Sequence, residues 1–263
     1  CEVFWHDTRN IYFPLPRSHE VSSVEEGLDF SPMAVIVATP PETHGDIAEA
    51  VYMSRLPCLI EKPIDCGAEG ALQTCEAFEA HDLALAVGYQ FRHTAVLRRL
   101  KAQVDANEFG LIYAAHAEFA SQKWCSGTYQ AELLLECSHE LDLLRWFLGE
   151  PAVVVAMTCN RDPRINAQSM IGFKSGALAH IHLDGIHCGY RRRLTLYGKK
   201  GIGEWMFEPA ENDQAYVEEL ADFLAVCRGE KPQPECTGRD GWWAIRMCDA
   251  IRKSAESGQW EAI

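Results

Sequence analysis

The chain has 263 residues, enough for one large domain or two modest ones, and its 48% hydrophobic, 24% charged and 10% aromatic content excludes a disordered, collagenous or fibrous polymer. Its 24 Lys plus Arg stand against 38 Asp plus Glu, a net charge of -14 that repels polyanions and argues against nucleic acid as a partner. No apolar run reaches the roughly 18 residues of a membrane span, and the opening CEVFWHDTRN lacks a basic stretch followed by an apolar one. Eleven cysteines, odd in number and without a CxxC pair, read as thiols of a reducing compartment, so a cytoplasmic protein without a membrane partner is expected.

In chain order, Cys1 to Trp5, Ala34 to Ala38, Cys58 to Ile60 and Leu83 to Val87 are short, apolar and β-rich. Helical stretches, Gly45 to Arg55 and Ala68 to His81, lie between them. That alternation predicts a parallel, Rossmann-like α/β sheet. After a helix near Thr94 to Ala106 the pattern changes to longer alternating runs, Leu111 to Phe119, Ala152 to Thr158, Gly176 to Leu183 and Arg192 to Tyr197, which predict antiparallel or mixed pairing. One strong helix interrupts them, with Ser138 as its expected cap, Leu141, Leu144 and Leu148 as its stripe and Gly149 with Pro151 as its end. Helices near Asp213 to Cys227 and Gly241 to Ser254 close the chain. The expected architecture is a partial Rossmann domain over 1–110 followed by an α+β domain with a large, mostly antiparallel sheet over 111–263.

Ligands of parallel α/β sheets sit outside the carboxyl ends of the strands, so residues just after each strand are candidates. Asp7 and Arg9 follow the opening strand: an acid there can accept from ribose hydroxyls and an Arg can pair a 2'-phosphate, although a solvated turn explains both. Thr39 and Pro40, with Pro41 to His44, form a rigid shelf or plain turn punctuation. Glu61 and Lys62 end a strand before Pro63, where a lysine at the rim of a cleft can share a proton with a substrate oxygen; a surface ion pair is the competing reading. His139 opens the strong helix, whose dipole disfavours imidazolium and leaves a neutral base; Asp142, three residues on, either orients it or is an ordinary first-turn acid. His180, His182 and Asp184 share one strand face, a substrate face or sheet surface, with too few ligands for a metal. Arg191 to Arg193 can greet a substrate anion or protect an edge strand.

Together AVIVATPPETH (34–44), LIEKP (59–63), AVGYQFR (86–92), SHELDLLRWFLGEP (138–151), GALAHIHLD (176–184) and YGKKGIGEW (197–205) resemble the glucose-fructose oxidoreductase, inositol dehydrogenase and rhizopine catabolism family, Gfo/Idh/MocA. The resemblance implies an NAD- or NADP-binding Rossmann domain, a second domain for substrate and for homo-oligomer contacts (dimer or tetramer), and oxidation of a secondary alcohol of a sugar or cyclitol or reduction of the ketone. It implies Lys62 as the active-site lysine and His139 as the histidine that moves the hydroxyl proton. It places Thr39, Pro40, His44, Glu61 and Gln90 along the nicotinamide and its ribose, and Asp7 on the adenosine ribose.

Three departures stand out. No GxGxxG is present and the chain opens where the family's second strand would be, so a fragment, or a sequence with omitted residues, is expected. The sheet is then expected to carry two unpaired inner edges and to lack its pyrophosphate cradle. Trp124 to Leu133 is short and lacks the family's glycine pair. Leu135 stands where many members carry an Asp four residues before the histidine, with Glu136 at three as a candidate substitute and substrate contact. Alternatives to a dehydrogenase are a non-catalytic dinucleotide- or sugar-sensing relative, an NAD-dependent glycosidase of the same family and, more distantly, a metal hydrolase.

Overall fold

The computed structural model describes residues 2–7, 17–121, 133–158, 166–185 and 189–263. The first part contains β1 (Val3–Trp5), β2 (Ser18–Glu20), α1 (Val24–Asp29), β3 (Val35–Val37), α2 (His44–Met53), β4 (Cys58–Glu61), α3 (Ala68–Ala80), β5 (Leu85–Gly88) and α4 (Ala95–Asp105). β3, β4 and β5 form a parallel sheet in that order, while β1 pairs in parallel with β2 in a separate sheet. Cys58, Leu59 and Ile60 and all of β5 are buried, which is why these runs are nearly all apolar. Neither β1 nor β3 has a second strand partner among the described residues, and Ile36 on β3 is 53% exposed.

The second part holds β6 (Ile112–Ser121), α5 (Leu133–Glu136), α6 (Ser138–Leu148), β7 (Pro151–Met157), β8 (Asn166–Phe173), β9 (Leu178–Asp184), β10 (Tyr190–Gly198), β11 (Gly201–Met206), α7 (Asn212–Cys227), α8 (Gly238–Ser257) and β12 (Glu261–Ala262). Seven strands pair in the order β11-β10-β6-β9-β8-β7-β12, with β6 and β9 parallel and the other neighbours antiparallel. The fold class is therefore the expected one. Strand alternation sorts this sheet's faces: Ala179, Ile181 and Leu183 point into the core, and His180 and His182 point away from it.

Two corrections concern α6. Cys137, not Ser138, occupies the cap position, because α5 runs almost directly into α6. Instead of one apolar stripe, Ser138 through Leu144 are all buried, since α6 lies between the large sheet and α8. Long α8 ties the two cores together: Ala244 and Ile245 pack with β3, β4 and β5, while Met247, Cys248 and Ile251 pack under the large sheet. Gly241 permits this, because a Cβ there would meet Val87 at 2.8 Å and Ile64 at 3.1 Å. A capping box of Thr237 and Asp240 starts α8, and Gly258, at φ 69°, ends it.

Candidate active site

The parallel strands bring their carboxyl ends to one edge, so Thr39, Glu61, Lys62 and Gln90, which end or follow β3, β4 and β5, converge there. His44 is buried and works as a tie: its Nδ1 lies 2.9 Å from the Pro63 carbonyl oxygen and its Nε2 lies 2.8 Å from that of Thr39. It thus clamps the shelf after β3 to the turn after β4. Thr39 and Pro40 are exposed at that shelf, where Thr43 donates to the Thr39 hydroxyl. Gly88 makes room for Glu61, since a Cβ there would sit 2.7 Å from Glu61 Oε2.

Lys62 faces α5 and α6 across a cavity of about 220 Å³ whose walls include Lys62, Gln90, Glu136, His139, Tyr190 and Arg192. The two residues on which the reading depends therefore line one cleft. Lys62 donates to Glu136 Oε2 at 2.5 Å, so Glu136 reaches the lysine although Leu135 holds the usual acid's place. His139 is 3% exposed, with Phe91 at 4.5 Å and Tyr89 edge-on at 5.5 Å. Burial, followed by the positive charges of Lys62 and Arg192, pushes its imidazole well below the usual range. The ring is thus neutral near pH 7, chiefly through desolvation. His139 Nδ1 and Gln90 Oε1 are buried and have no hydrogen-bond partner among the described residues. Gln90 Nε2 donates to Asn212 Oδ1 at 3.3 Å and Tyr216 Oη at 3.2 Å.

Two expected roles are corrected. Asp142 does not orient His139: it accepts a two-pronged contact from Arg92, at 2.8 Å and 2.5 Å, because its position on α6 faces the other way. His182 does not reach the cleft. Phe119, Leu183 and Arg192 occupy one cross-strand row facing the core, so Glu118 and His182, one residue earlier, face outward. There His182 Nδ1 meets Gln168 Nε2 at 2.8 Å and His180 Nε2 meets Gln168 Oε1 at 3.0 Å. Among the described residues no group of three or more His, Cys, Asp or Glu is placed to hold a metal ion. Half-buried Asp7 follows β1 in the separate sheet; Arg9 and most of 124–133 lie outside the described residues.

Sequence reasoning gave Glu140 no role and read Arg192 only as part of the Arg191–Arg193 run, open to a substrate anion or guarding an edge, not as a buried partner of Glu140 and Glu136. Arg192 is 2% exposed and donates to Glu140 at 2.7 and 2.9 Å and to Glu136 Oε1 at 3.1 Å. Burial raises the Glu140 carboxyl to about 7 against the opposing pull of Arg192. The available signal was parity: Arg192 shares its strand face with Leu194 and Leu196, a core-facing row. A larger groove of about 1320 Å³ lies at the opposite edge of the sheet, past Pro57 and Leu83 to Leu85. Its cations are taken, Arg92 and Arg145 by Asp240, Arg239 by Glu79 and Lys231 by Asp222, so size does not mark it as the reaction site.

Comparison with known proteins decides the family. Residues 14–89 match the oxidoreductase family profile with the NAD-binding Rossmann fold, and residues 97–204 match the GFO/IDH/MocA C-terminal domain. The chain belongs to the Gfo/Idh/MocA oxidoreductase family. Among Gfo/Idh/MocA relatives, inositol 2-dehydrogenase of Paracoccus denitrificans is 27% identical over 258 residues, covering 86% of this chain and 75% of that protein. GenD2 from gentamicin A biosynthesis, solved in complex with NAD, superposes with a TM-score of 0.83 at 19% identity, over 94% of this chain and 83% of its own. The apo scyllo-inositol dehydrogenase of Lactobacillus casei gives 0.84 at 19% identity, over 93% and 84%. At those identities the two structures speak for the Gfo/Idh/MocA fold alone. Among the described residues no helix is long and apolar enough to cross a membrane.

Proposed function

We propose that this chain is an NAD-dependent dehydrogenase acting on a secondary alcohol of a cyclitol or related sugar. The observation that carries the reading is the single cleft shared by Lys62, Glu136 and a buried, neutral His139 at the carboxyl edge of a parallel sheet. The nicotinamide end of a dinucleotide fits there: Thr39, Pro40, Glu61 and Gln90 border the edge, and Gln90 Oε1, without a partner among the described residues, offers an acceptor for a polar group. The phosphates, by contrast, find no GxGxxG turn in these 263 residues. Asp7 supports NAD over NADP, since a carboxylate accepts from ribose hydroxyls and repels a 2'-phosphate. The names of the inositol dehydrogenase relatives support a cyclitol. In this reading residues 1–110 serve the cofactor and 111–263 the substrate.

Bound NAD supplies the carbon that accepts the hydride. His139 takes the hydroxyl proton, which its desolvated neutral ring is free to accept. Lys62 donates to the substrate oxygen while Glu136 holds its ammonium in place. Because Glu136 reaches Lys62, the displaced acid no longer motivates a non-catalytic reading.

Reduced-nicotinamide absorbance, followed with a panel of cyclitols and sugars, tests the proposal. Lys62→Met and His139→Asn should each lower kcat on the order of 10³-fold while retaining cofactor binding. Cofactor binding without turnover across the panel in the wild type, or full turnover in either variant, contradicts it.

A further inference from the structure

Arg192 stands out because a guanidinium occupies a core position of β10, between Phe119, 4.0 Å from its carbon, and Phe91, 5.3 Å away. All three of its nitrogens are committed. Nε donates to Tyr190 Oη at 2.6 Å, Nη1 to both Glu140 oxygens and Nη2 to Glu136 Oε1. The other Glu136 oxygen takes the Lys62 ammonium. With four of its five N–H donors taken, this is not the arrangement of a group waiting for a substrate anion, which needs an open fork of donors.

We propose that Arg192 is a positioning residue of the reaction centre, bracing Glu136 from one side so that its other oxygen fixes Lys62 at the cleft beside His139. This rests on the reading of Lys62 and His139 given above. Glu136 is 22% exposed on the four-residue α5, and a long side chain held there by one lysine gains about 0 to 1 kcal/mol, too little to fix its rotamer. A second contact, to a guanidinium that packing already immobilises, supplies the missing constraint. Glu140 acts separately, balancing the charge of Arg192, which would be costly to bury with Glu136 alone. The brace also sets the field at His139, on whose ring the positive charges of Lys62 and Arg192 both act, with Tyr89 packed edge-on and Phe91 beside it.

The test compares wild type with the double variant Arg192→Leu/Glu140→Leu, which removes the two charges together and keeps the core apolar. If the brace exists, the folded double variant loses about 10- to 100-fold in kcat with KM within about threefold, as misplacement of a catalytic group requires. The acidic limb of its kcat/KM profile moves to higher pH, because His139 has lost the positive charge of Arg192 that acts on its ring, while both oxygens of the Glu140 carboxylate removed with it were engaged by Arg192. The His139 ring titration, followed by NMR on the cofactor-free protein, moves the same way. That arm needs no turnover, so it judges Arg192 even if the wild type oxidises no polyol and the reading of function fails. Should the double variant unfold, Arg192→Lys retains a cation that cannot span both carboxylates and is expected to show the same kcat loss. Wild-type kcat in either folded variant, or an unmoved His139 titration in the double variant, overturns the proposal.

Discussion

Two buried arginine–carboxylate pairs leave α6 in nearly opposite directions, because Glu140 and Asp142 are two residues, roughly 200°, apart around a helix. Asp142 faces the first half and takes Arg92, which also contacts Asp240 and the Glu235 carbonyl. Asp240 in turn closes the capping box of α8 and binds Arg145. That network ends in backbone, helix caps and the wall of the larger groove. Glu140 faces the second half and takes Arg192, but there the chain of contacts runs on through Glu136 to Lys62 and opens into a cleft. The same chemical pair is a rivet in one place and, in the proposed reading, a support for the cleft's lysine in the other. The partner at the far end, not the buried ion pair itself, makes the difference.

The sharpest way to break this comparison is to remove one carboxylate from the closed network. Asp142→Leu leaves Arg92, 3% exposed, short of its main counter-charge and should lower unfolding free energy by about 3 to 5 kcal/mol in urea. The kcat of the remaining folded protein should stay near wild type; a selective kcat loss without destabilisation would erase the contrast with Arg192.

Glu219 on α7 sharpens it from another side, as a buried carboxyl raised to about 8 by burial and then by Glu61 and Asp222. Its Oε1 has no hydrogen-bond partner among the described residues. The native state keeps a proton that the unfolded chain releases near pH 4.5, so this residue's contribution to stability falls as pH rises from there through 8. Glu219→Gln, which mimics the protonated form, should raise stability by a few kcal/mol at pH 9 and change it little at pH 5. Equal effects at both pH values would show that the carboxyl is ionised throughout.

Thr237→Ala removes half of the capping box and should cost about 1 kcal/mol in thermal or urea melts, with turnover unchanged. A smaller effect still is expected for His182→Ala on the outer sheet face. Its kcat and KM should stay within about twofold of wild type, since local surface changes leave a remote cleft intact. A tenfold loss would return His182 to the substrate site.

Much of the scaffold was legible because parallel strands announce themselves. The expected Ala34–Ala38 and Cys58–Ile60 differ by only one residue at either end from β3 (Val35–Val37) and β4 (Cys58–Glu61). Both faces of β4 and β5 pack under helices, which forces a continuous apolar run. β2 was not seen, because Ser18–Glu20 is a three-residue polar stretch that becomes a strand only by pairing with β1. The ends of α8 were misjudged by three residues each way, although Thr237 with Asp240 and Gly258 spelled its caps. That Lys62 and His139 line one cleft was legible through the motifs around them. Arg192 was not, because a buried cation is indistinguishable from an edge-protecting one until its partner, 52 residues away, is seen to share its core-facing row.

Shared chemistry of Lys62 and His139 is tested most directly by a single turnover with NAD and a cyclitol carrying deuterium at the carbinol carbon. The label should arrive undiluted on the nicotinamide ring in the wild type and fail to arrive, with cofactor still bound, in Lys62→Met and His139→Asn. Transfer at the wild-type rate in either variant, or replacement of the label by solvent hydrogen, would contradict it.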